Sequence, residues 1–404
     1  MRPIFLTQII SAGFMCTTSI FYMLDVLGYQ YFTKTSNFFL INNDKLLLTA
    51  QCQRYYCLAH AALASGILAF MRYPVEQKYY IEKKKLANLL LVFALITLTV
   101  STVFLKIPGL AQFSYHLNSL SFIAGTLALA FAIPLRKTVN TIVCIILYFS
   151  NFYEALISGF KEPIIISVLV LGIFLYPTYK KIILLTFVPL LISLFILLPI
   201  YNRVFRQNSW TGVTNNDEAS QLAINAVINN NNNDESNWSF YTFRLSEIDM
   251  FTTFVWSTPA NIDYYGTKLL GQSLIALVPR IFWPSKPNTE AMIMERVYNA
   301  GVVSRGSNVS AKPAFVVDAY LSGGPIGIFL FLFAYGAIAQ LISLKAEKLF
   351  GGYILGTALI YSGLFQMLWR GLSLEFLVNA VFWSYITMLI LFRIFLAANI
   401  LRRI

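Results

Sequence analysis

Residues 86–105 read LANLLLVFALITLTVSTVFL, a run without a single charged side chain. A helix in a lipid bilayer needs about 20 mostly apolar residues, because backbone groups in hydrocarbon must hydrogen-bond within their own segment. This run has the required length and predicts a membrane-spanning helix. Apolar runs of similar length recur on both sides of it along the 404-residue chain.

The composition agrees with a membrane protein. The chain is 57% hydrophobic and 12% charged, whereas soluble domains are about 25% charged. The formal net charge of +12 would suggest nucleic acid as a partner in a soluble protein. Here no basic helix with interleaved aromatic residues occurs, so the charge indicates inner-loop Lys and Arg and sites for anionic lipid or phosphate.

The apolar runs predict an all-α polytopic membrane protein with about ten (ten to twelve) transmembrane helices. Seven fall in residues 1–200, a large polar loop follows over 201–312, and three more fall in residues 313–404. The predicted spans are 4–27, 55–71, 86–105, 117–134, 139–158, 164–179, 182–200, 314–343, 351–368 and 374–397.

Basic residues predict the orientation. With the N-terminus inside, the inner segments hold fourteen Lys and Arg residues and the short outer loops hold six. The long loop is left out of this comparison, because long loops translocate regardless of charge. The bias favours an N-in, C-in protein whose large loop is periplasmic. Two weaker apolar stretches in the loop, 248–259 and 269–282, would give twelve spans and the same orientation if both crossed.

The second stretch has the pattern of an interfacial helix. Four of its leucine and isoleucine residues fall at offsets 0, 4, 7 and 11, on one narrow helical face: Leu270, Leu274, Leu277 and Ile281. We expect this helix to lie along the outer leaflet and to bend or end at Pro279. Residues 208–237, which include five consecutive asparagines at 229–233, instead predict a mobile loop tip or disordered insert.

The first candidate motif of the loop is Arg-Leu-Ser-Glu-Ile-Asp at 244–249. On a helix Arg244 and Glu247 are neighbours, and Asp249 follows. The pattern is compatible with a surface ion pair or with an anion-binding arginine beside an acid.

The second motif is Pro-Arg-Ile-Phe-Trp-Pro-Ser-Lys-Pro at 279–287. Its three prolines predict a stiff turn, and Trp283 suits a membrane–water interface. Arg280 and Lys286 would then lie at headgroup height, where a guanidinium fork matches phosphate oxygens. The alternative is that both are snorkelling anchors of the loop.

The third motif places Asp318 in the opening turns of an apolar span. An acid at that depth is a functional candidate, although a carboxylate at a helix N-terminus has the same pattern. Gly323 and Gly327 predict the close approach of another helix. Lys161 and Arg370 lie in short turns on the same predicted face as the loop. The four cysteines and two histidines show no metal-ligand spacing, so no metal or cofactor is predicted.

Together these motifs resemble the bacterial oligosaccharide repeat-unit polymerases, the O-antigen (Wzy-type) polymerase family. The resemblance rests on 244–249, on Pro-Arg at 279–280 followed by Trp-Pro and Lys-Pro, on Asp-Ala-Tyr at 318–320 with Gly324 and Gly327, and on Ser-Gly-Phe-Lys-Glu at 158–162. The Pro-Arg-x-x-Trp-Pro-x-Lys-Pro run is the most specific of them.

The resemblance implies a membrane glycosyltransferase that joins repeat units carried on undecaprenyl diphosphate, at the periplasmic face of the inner membrane. It implies a catalytic base among Asp318, Glu247 and Asp249. It also implies diphosphate-binding cations, drawn from Arg280, Arg244, Lys286, Lys161 and Arg370. The expected partners are the lipid-linked oligosaccharide, membrane lipid and a chain-length regulator protein, with no nucleic acid.

Two other functions fit the same sequence. An O-antigen ligase shares the large outer loop and the lipid-linked donor but transfers finished polymer to lipid core. A transporter or flippase of lipid-linked oligosaccharide predicts charged residues at mid-span and internal repeats. Polar residues concentrate at the outer face instead, which favours an enzyme.

Overall fold

A computed structural model describes residues 43–82, 86–107, 110–136, 138–157, 162–209, 215–228, 248–306, 311–370 and 372–404. The chain in these ranges is mainly helical. In chain order the elements are α1 (Asn43–Ala69), β1 (Tyr79–Tyr80), α2 (Leu86–Leu105), α3 (Ala111–Ala132), α4 (Thr138–Ile157), α5 (Glu162–Ser209), α6 (Asn216–Ile228), α7 (Ile248–Ser257), α8 (Lys268–Leu277), α9 (Thr289–Asn299), α10 (Phe315–Leu349), a π-helical segment (Tyr353–Tyr361), α11 (Ser362–Leu364), α12 (Met367–Arg370), α13 (Leu374–Ala397) and β2 (Arg402–Arg403).

Six helical segments among the described residues are long and apolar enough to cross a membrane: Leu86–Leu105, Phe113–Ala132, Thr138–Ile157, Ile164–Leu194, Phe315–Leu349 and Leu374–Ala397. The prediction of an all-α membrane protein is therefore confirmed. α2 and α13 begin and end at the predicted residues. The predicted span 4–27 lies outside the described residues, and the total of about ten spans and the N-in, C-in orientation stay predictions.

The long helix α5 reverses direction within its length. Tyr179 leaves helical geometry, with φ −125° and ψ 44°. A Cβ built on Gly172 would lie 3.0 Å from Cδ1 of Phe187, yet fifteen residues of straight helix would separate these positions by about 22 Å. Ile164 also packs with Leu198. The segment is therefore a hairpin of two antiparallel helices that turns where the sequence predicts a boundary between spans.

The described chain packs into two compact units. One contains residues 43–80, 110 and 248–404, and the other contains 81–107 and 111–228. Within the first unit, the predicted span 351–368 is the π-helical segment followed by α11 and α12. The strands β1 and β2 pair antiparallel. The predicted boundaries of the large loop, at residues 200 and 312, depend on which segments cross the membrane and stay predictions.

In the first unit α1 and α10 run parallel and cross closely. The ring of Tyr55 lies 5.2 Å from that of Tyr320, and further along a Cβ on Gly336 would overlap the carbonyl oxygen of Leu63. A Cβ on Gly66 would likewise overlap a carbonyl of α10. The predicted contact of Gly323 and Gly327 with another helix was wrong, because a Cβ on Gly327 meets the Ala319 carbonyl of its own helix.

The polar stretch 208–237 is ordered over part of its length, which corrects the prediction of an insert without structure. Residues Asn216–Ile228 form α6. Its Ala219 and Ala223, one turn apart, are buried against Tyr201 and Phe205 of α5. The prediction rests on the average polar composition of this stretch, which does not reveal a short apolar stripe within it. The Asn229–Asn233 tract lies outside the described residues.

Candidate functional site

The short helices α7, α8 and α9 all lie in the predicted periplasmic loop and pack in the first unit. α7 and α8 have ten residues each, which corresponds to about 15 Å of helix against about 30 Å of hydrocarbon. Neither apolar stretch of the loop therefore crosses a membrane as a helix. α7 is buried along most of its length, through residues such as Phe251 and Phe254.

Helix α8 presents opposite faces to the protein and to its surroundings. Leu269, Ser273 and Ala276 are buried, and α8 packs on α13. The predicted apolar stripe is exposed, with Leu274 63% accessible. The helix ends at Leu277, before Pro279, as predicted. An apolar face left open next to a predicted membrane surface is the arrangement of an interfacial helix.

The C-terminus of α8 is capped by two side chains from elsewhere in the unit. The ammonium of Lys286 donates to the carbonyls of Ala276 and Val278, at 2.9 and 2.8 Å. The indole N–H of Trp383 donates to the Leu277 carbonyl at 3.0 Å. Three successive carbonyls that the helix cannot satisfy itself thus have donors. Burial, and then the charge of Arg280, lower the pKa of Lys286.

The Pro279–Pro287 turn begins at this cap and carries Arg280 outward. The Arg280 guanidinium is exposed, and among the described residues its one hydrogen bond is a long contact, 3.4 Å, to the Pro284 carbonyl of the same turn. The next two side chains, Ile281 and Phe282, are exposed as well, Phe282 to 77%. The turn therefore places an available cation directly beside apolar side chains that are open to the surroundings.

Three charged side chains, one each from α9, α10 and α13, form a buried cluster. Arg296 of α9 donates to Glu375 Oε1 and Oε2 at 2.6 and 2.9 Å. Its Nη2 lies 3.0 Å from each carboxylate oxygen of Asp318. The backbone N–H of Leu374 donates to Asp318 at 2.7 Å. Arg296 is 2% exposed and both acids are fully buried. We call these three side chains the buried charge cluster.

The charges of the cluster do not balance, since one guanidinium faces two carboxyl groups. Burial lowers the pKa of Arg296, but the charges of and hydrogen bonds to Asp318 and Glu375 outweigh it, so the pKa lies above its usual range. Arg296 therefore stays charged. Three buried polar atoms of the same region, Arg296 Nε, Asp318 Oδ1 and Ser373 Oγ, have no hydrogen-bond partner among the described residues. The cluster fastens α9 to the first turns of α10 and α13.

Sequence reasoning missed Arg296 and Glu375. The signal was present in α9, where Arg296 falls at offset 3 of the apolar stripe Ile293, Val297 and Ala300, all buried. A charged residue inside such a stripe requires a buried partner. Glu375, in the first turn of the last span, is an acid that could have been predicted as the partner of Arg296.

Helix α10 is broken after its first turns, and loop residues fill the break. Gly323 and Gly324 leave helical geometry, Gly324 with φ +61°. Pro325 has no N–H to offer the Leu321 carbonyl four residues earlier. The backbone N–H of Tyr265 takes that place at 2.8 Å. One loop residue therefore satisfies the carbonyl that the break leaves open.

A sequence family described as Domain of unknown function (DUF8712) matches residues 1–403. The chain belongs to this family. No curated protein and no solved structure matches the chain. In this DUF8712 protein, no group of three or more His, Cys, Asp or Glu residues within the described ranges could hold a metal ion.

The predicted site residues of the DUF8712 protein fall in different surroundings. Asp318 is enclosed by Arg296 and the Leu374 N–H. Asp249 is half-buried in the first turn of α7. Arg280 is exposed, and Lys286 caps α8. Arg370 is the last residue of α12. Three predicted residues lie outside the described residues: Arg244, Glu247 and Lys161.

Proposed function

We propose that this protein polymerises undecaprenyl-diphosphate-linked oligosaccharide repeat units at the periplasmic face of a bacterial inner membrane. In this proposal it crosses the membrane about ten times, with both termini in the cytoplasm. The observation that carries the proposal is the position of Arg280. Its exposed guanidinium stands at the end of an interfacial-type helix, between apolar side chains that are open to the surroundings.

A polyprenyl diphosphate needs two kinds of contact in one place. The anionic headgroup needs a cation, and a guanidinium binds two phosphate oxygens at once. The prenyl chain needs apolar surface that stays in lipid. Arg280 supplies the first, and Leu274 on α8 and Phe282 on the turn supply the second. The cap from Lys286 and Trp383 holds the turn on a fixed helix end, so that Arg280 is placed beside this apolar surface before the substrate arrives.

The reaction joins two lipid-linked chains. A hydroxyl oxygen at the non-reducing end of one unit bonds to the anomeric carbon of the growing chain. The bond from that carbon to the diphosphate oxygen breaks, and undecaprenyl diphosphate leaves with the electron pair. A carboxylate takes the hydroxyl proton. Cations that contact the departing diphosphate more strongly as its charge grows lower the barrier.

The proposal divides the predicted residues between two roles. Asp249 and Glu247 are the candidates for the base, since Asp318 is fully buried and held by Arg296. Asp318 then acts through Arg296 as a positioning residue for α9. Lys286 positions the turn, and Arg244, Lys161 and Arg370 are candidates for a second diphosphate cation.

The surface polysaccharide of a deletion strain tests the proposal. We expect a ladder that collapses to one repeat unit on lipid core, restored by the intact gene. Absence from the core with polymer accumulating on the carrier would identify a ligase. Absence of externalised repeat units would identify a flippase, and either result would contradict the polymerase.

A further inference from the structure

The break in α10 is surrounded by hydrogen-bonding aromatic side chains of the first unit. Tyr320 donates its hydroxyl hydrogen to the Thr258 carbonyl at 2.8 Å, and its ring lies 5.9 Å from the Tyr264 ring in an edge-to-face contact. The Tyr264 hydroxyl oxygen lies 2.9 Å from the position that a Cβ on Gly324 would take. The loop and the broken part of helix α10 therefore meet at the side chains of Tyr264 and Tyr320.

Helix α1 extends this group toward the outside. The Tyr55 ring packs 5.2 Å from the Tyr320 ring, and Gln51 donates to the Tyr55 hydroxyl at 2.7 Å. Gln51 is exposed, Tyr55 is half-buried and Tyr264 is 38% exposed. At Gly323 no heavy atom lies within 4 Å of a Cβ position, so there is open space beside the exposed phenols.

The chemistry of this group suits a saccharide. A sugar ring offers an apolar C–H face that packs on an aromatic ring, and hydroxyls that exchange hydrogen bonds with phenol and amide groups. Gly323 leaves room for a sugar ring at the break, because no heavy atom lies within 4 Å of its Cβ position. Tyrosines that only anchor a protein at a membrane surface need not pack on one another, whereas the Tyr320 ring contacts the rings of both Tyr55 and Tyr264.

We propose that Gln51, Tyr55 and Tyr264, grouped at the break of α10, form a binding subsite for the oligosaccharide part of the substrate. This inference rests on the proposed function and deepens it. The subsite lies just before the N-terminal end of α8, and Arg280 follows its C-terminal end, so a helix of about 15 Å lies between the sugar and diphosphate subsites. A lipid-linked oligosaccharide carries its sugars and its diphosphate at separate places along one molecule, so it could occupy both subsites at once.

Direct binding to the full-length protein in nanodiscs tests the subsite. The probe is the single repeat-unit oligosaccharide, released by mild acid from the lipid carrier of the producing cell. We expect saturable binding by calorimetry to the unsubstituted protein. The double variant Gln51→Ala with Tyr55→Phe removes one amide and one hydroxyl at the surface and is expected to weaken binding about tenfold.

Two matched variants serve as controls. Gln53→Ala changes the same residue type on another face of α1, and Tyr80→Phe removes an exposed hydroxyl in β1. Both are expected to bind the probe like the unsubstituted protein. Tyr264→Phe is a further test, expected to weaken binding while the thermal unfolding midpoint stays unchanged.

The outcomes separate this inference from the proposed function. Absence of probe binding, or equal affinity in the double variant and the controls, would overturn the subsite even in a cell that makes normal polymer. Binding that the double variant weakens would support the subsite, even where the deletion strain shows that the protein is not a polymerase.

Discussion

Arg296 and Glu375 form a bidentate ion pair, with Nη1 2.6 Å from Oε1 and Nη2 2.9 Å from Oε2, although 79 residues separate them. Both side chains are almost fully buried. The pair joins a helix of the predicted periplasmic loop to the first turn of the last span. Because Asp318 shares the same guanidinium, loss of Arg296 would leave two buried carboxylates without a cation.

Stability should therefore respond unequally to changes in the buried charge cluster. Arg296→Met is expected to destabilise the protein by about 3–5 kcal/mol, as measured for broken buried ion pairs. Asp318→Asn leaves Arg296 and Glu375 as a balanced ion pair and is expected to lower the stability much less. The thermal unfolding midpoint in detergent measures both. As the control, Arg305→Ala removes an exposed pair with Glu295 and should leave the midpoint unchanged. Equal loss in Arg296→Met and Asp318→Asn would contradict the charge argument.

Arg280 is expected to be essential for polymer formation. Arg280→Ala removes the cation proposed to stabilise the leaving diphosphate, and the rate should fall on the order of a hundredfold or more. Arg280→Lys should also be poor, because an ammonium is a point charge and does not replace the fork. Polysaccharide ladders, read with membrane protein levels, measure the effect, and Arg305→Ala is again the control. Normal polymer in Arg280→Ala would make Arg280 a membrane anchor only.

The cap of α8 makes a separate prediction for Lys286. Lys286→Met leaves the Ala276 and Val278 carbonyls without their donor, so the Pro279–Pro287 turn should loosen. Chymotrypsin should then cut faster after Phe282. Trp383→Phe removes the neighbouring donor to Leu277 and should have the same effect. A Lys286→Met protein that is cut no faster but makes no polymer would instead show that Lys286 binds substrate.

Two glycines in helices should respond with opposite signs. Gly336→Ala forces a Cβ onto the Leu63 carbonyl, so we expect a loss of about 1–3 kcal/mol from overpacking. Gly271→Ala, in the exposed part of α8, meets no atom within 4 Å and should gain about 0.5–1 kcal/mol through helix propensity. Thermal unfolding midpoints of the two variants test the pair. An unchanged midpoint in Gly336→Ala would contradict the close packing of α1 on α10 at this glycine.

The orientation predicted from basic residues is open to a direct test. A reporter fused at Asn231 should read periplasmic, and one fused at Lys84 should read cytoplasmic. Active alkaline phosphatase at the first position and active green fluorescent protein at the second are the expected signals. A cytoplasmic signal at Asn231 would place the candidate site in the wrong compartment for the proposed function.

The helices that depend on local requirements were predictable from the amino-acid sequence. α2 and α13 match their predicted bounds, because a segment in lipid must satisfy its backbone hydrogen bonds within itself, and its length and lack of charge are visible in one stretch of residues. The end of α8 before Pro279 was predictable for the same kind of reason, since proline cannot continue the helical hydrogen bonds.

Contacts between distant residues became visible only in the folded protein. Arg296 finds Asp318 across 22 residues and Glu375 across 79, and no local pattern specifies a partner at such separations. The same holds for Lys286, which the sequence offered as a free cation and the fold uses at the end of α8. A helix propensity or an apolar run acts over neighbouring residues, whereas an ion pair or a cap depends on the packing of whole helices, which the chain specifies only when it is folded.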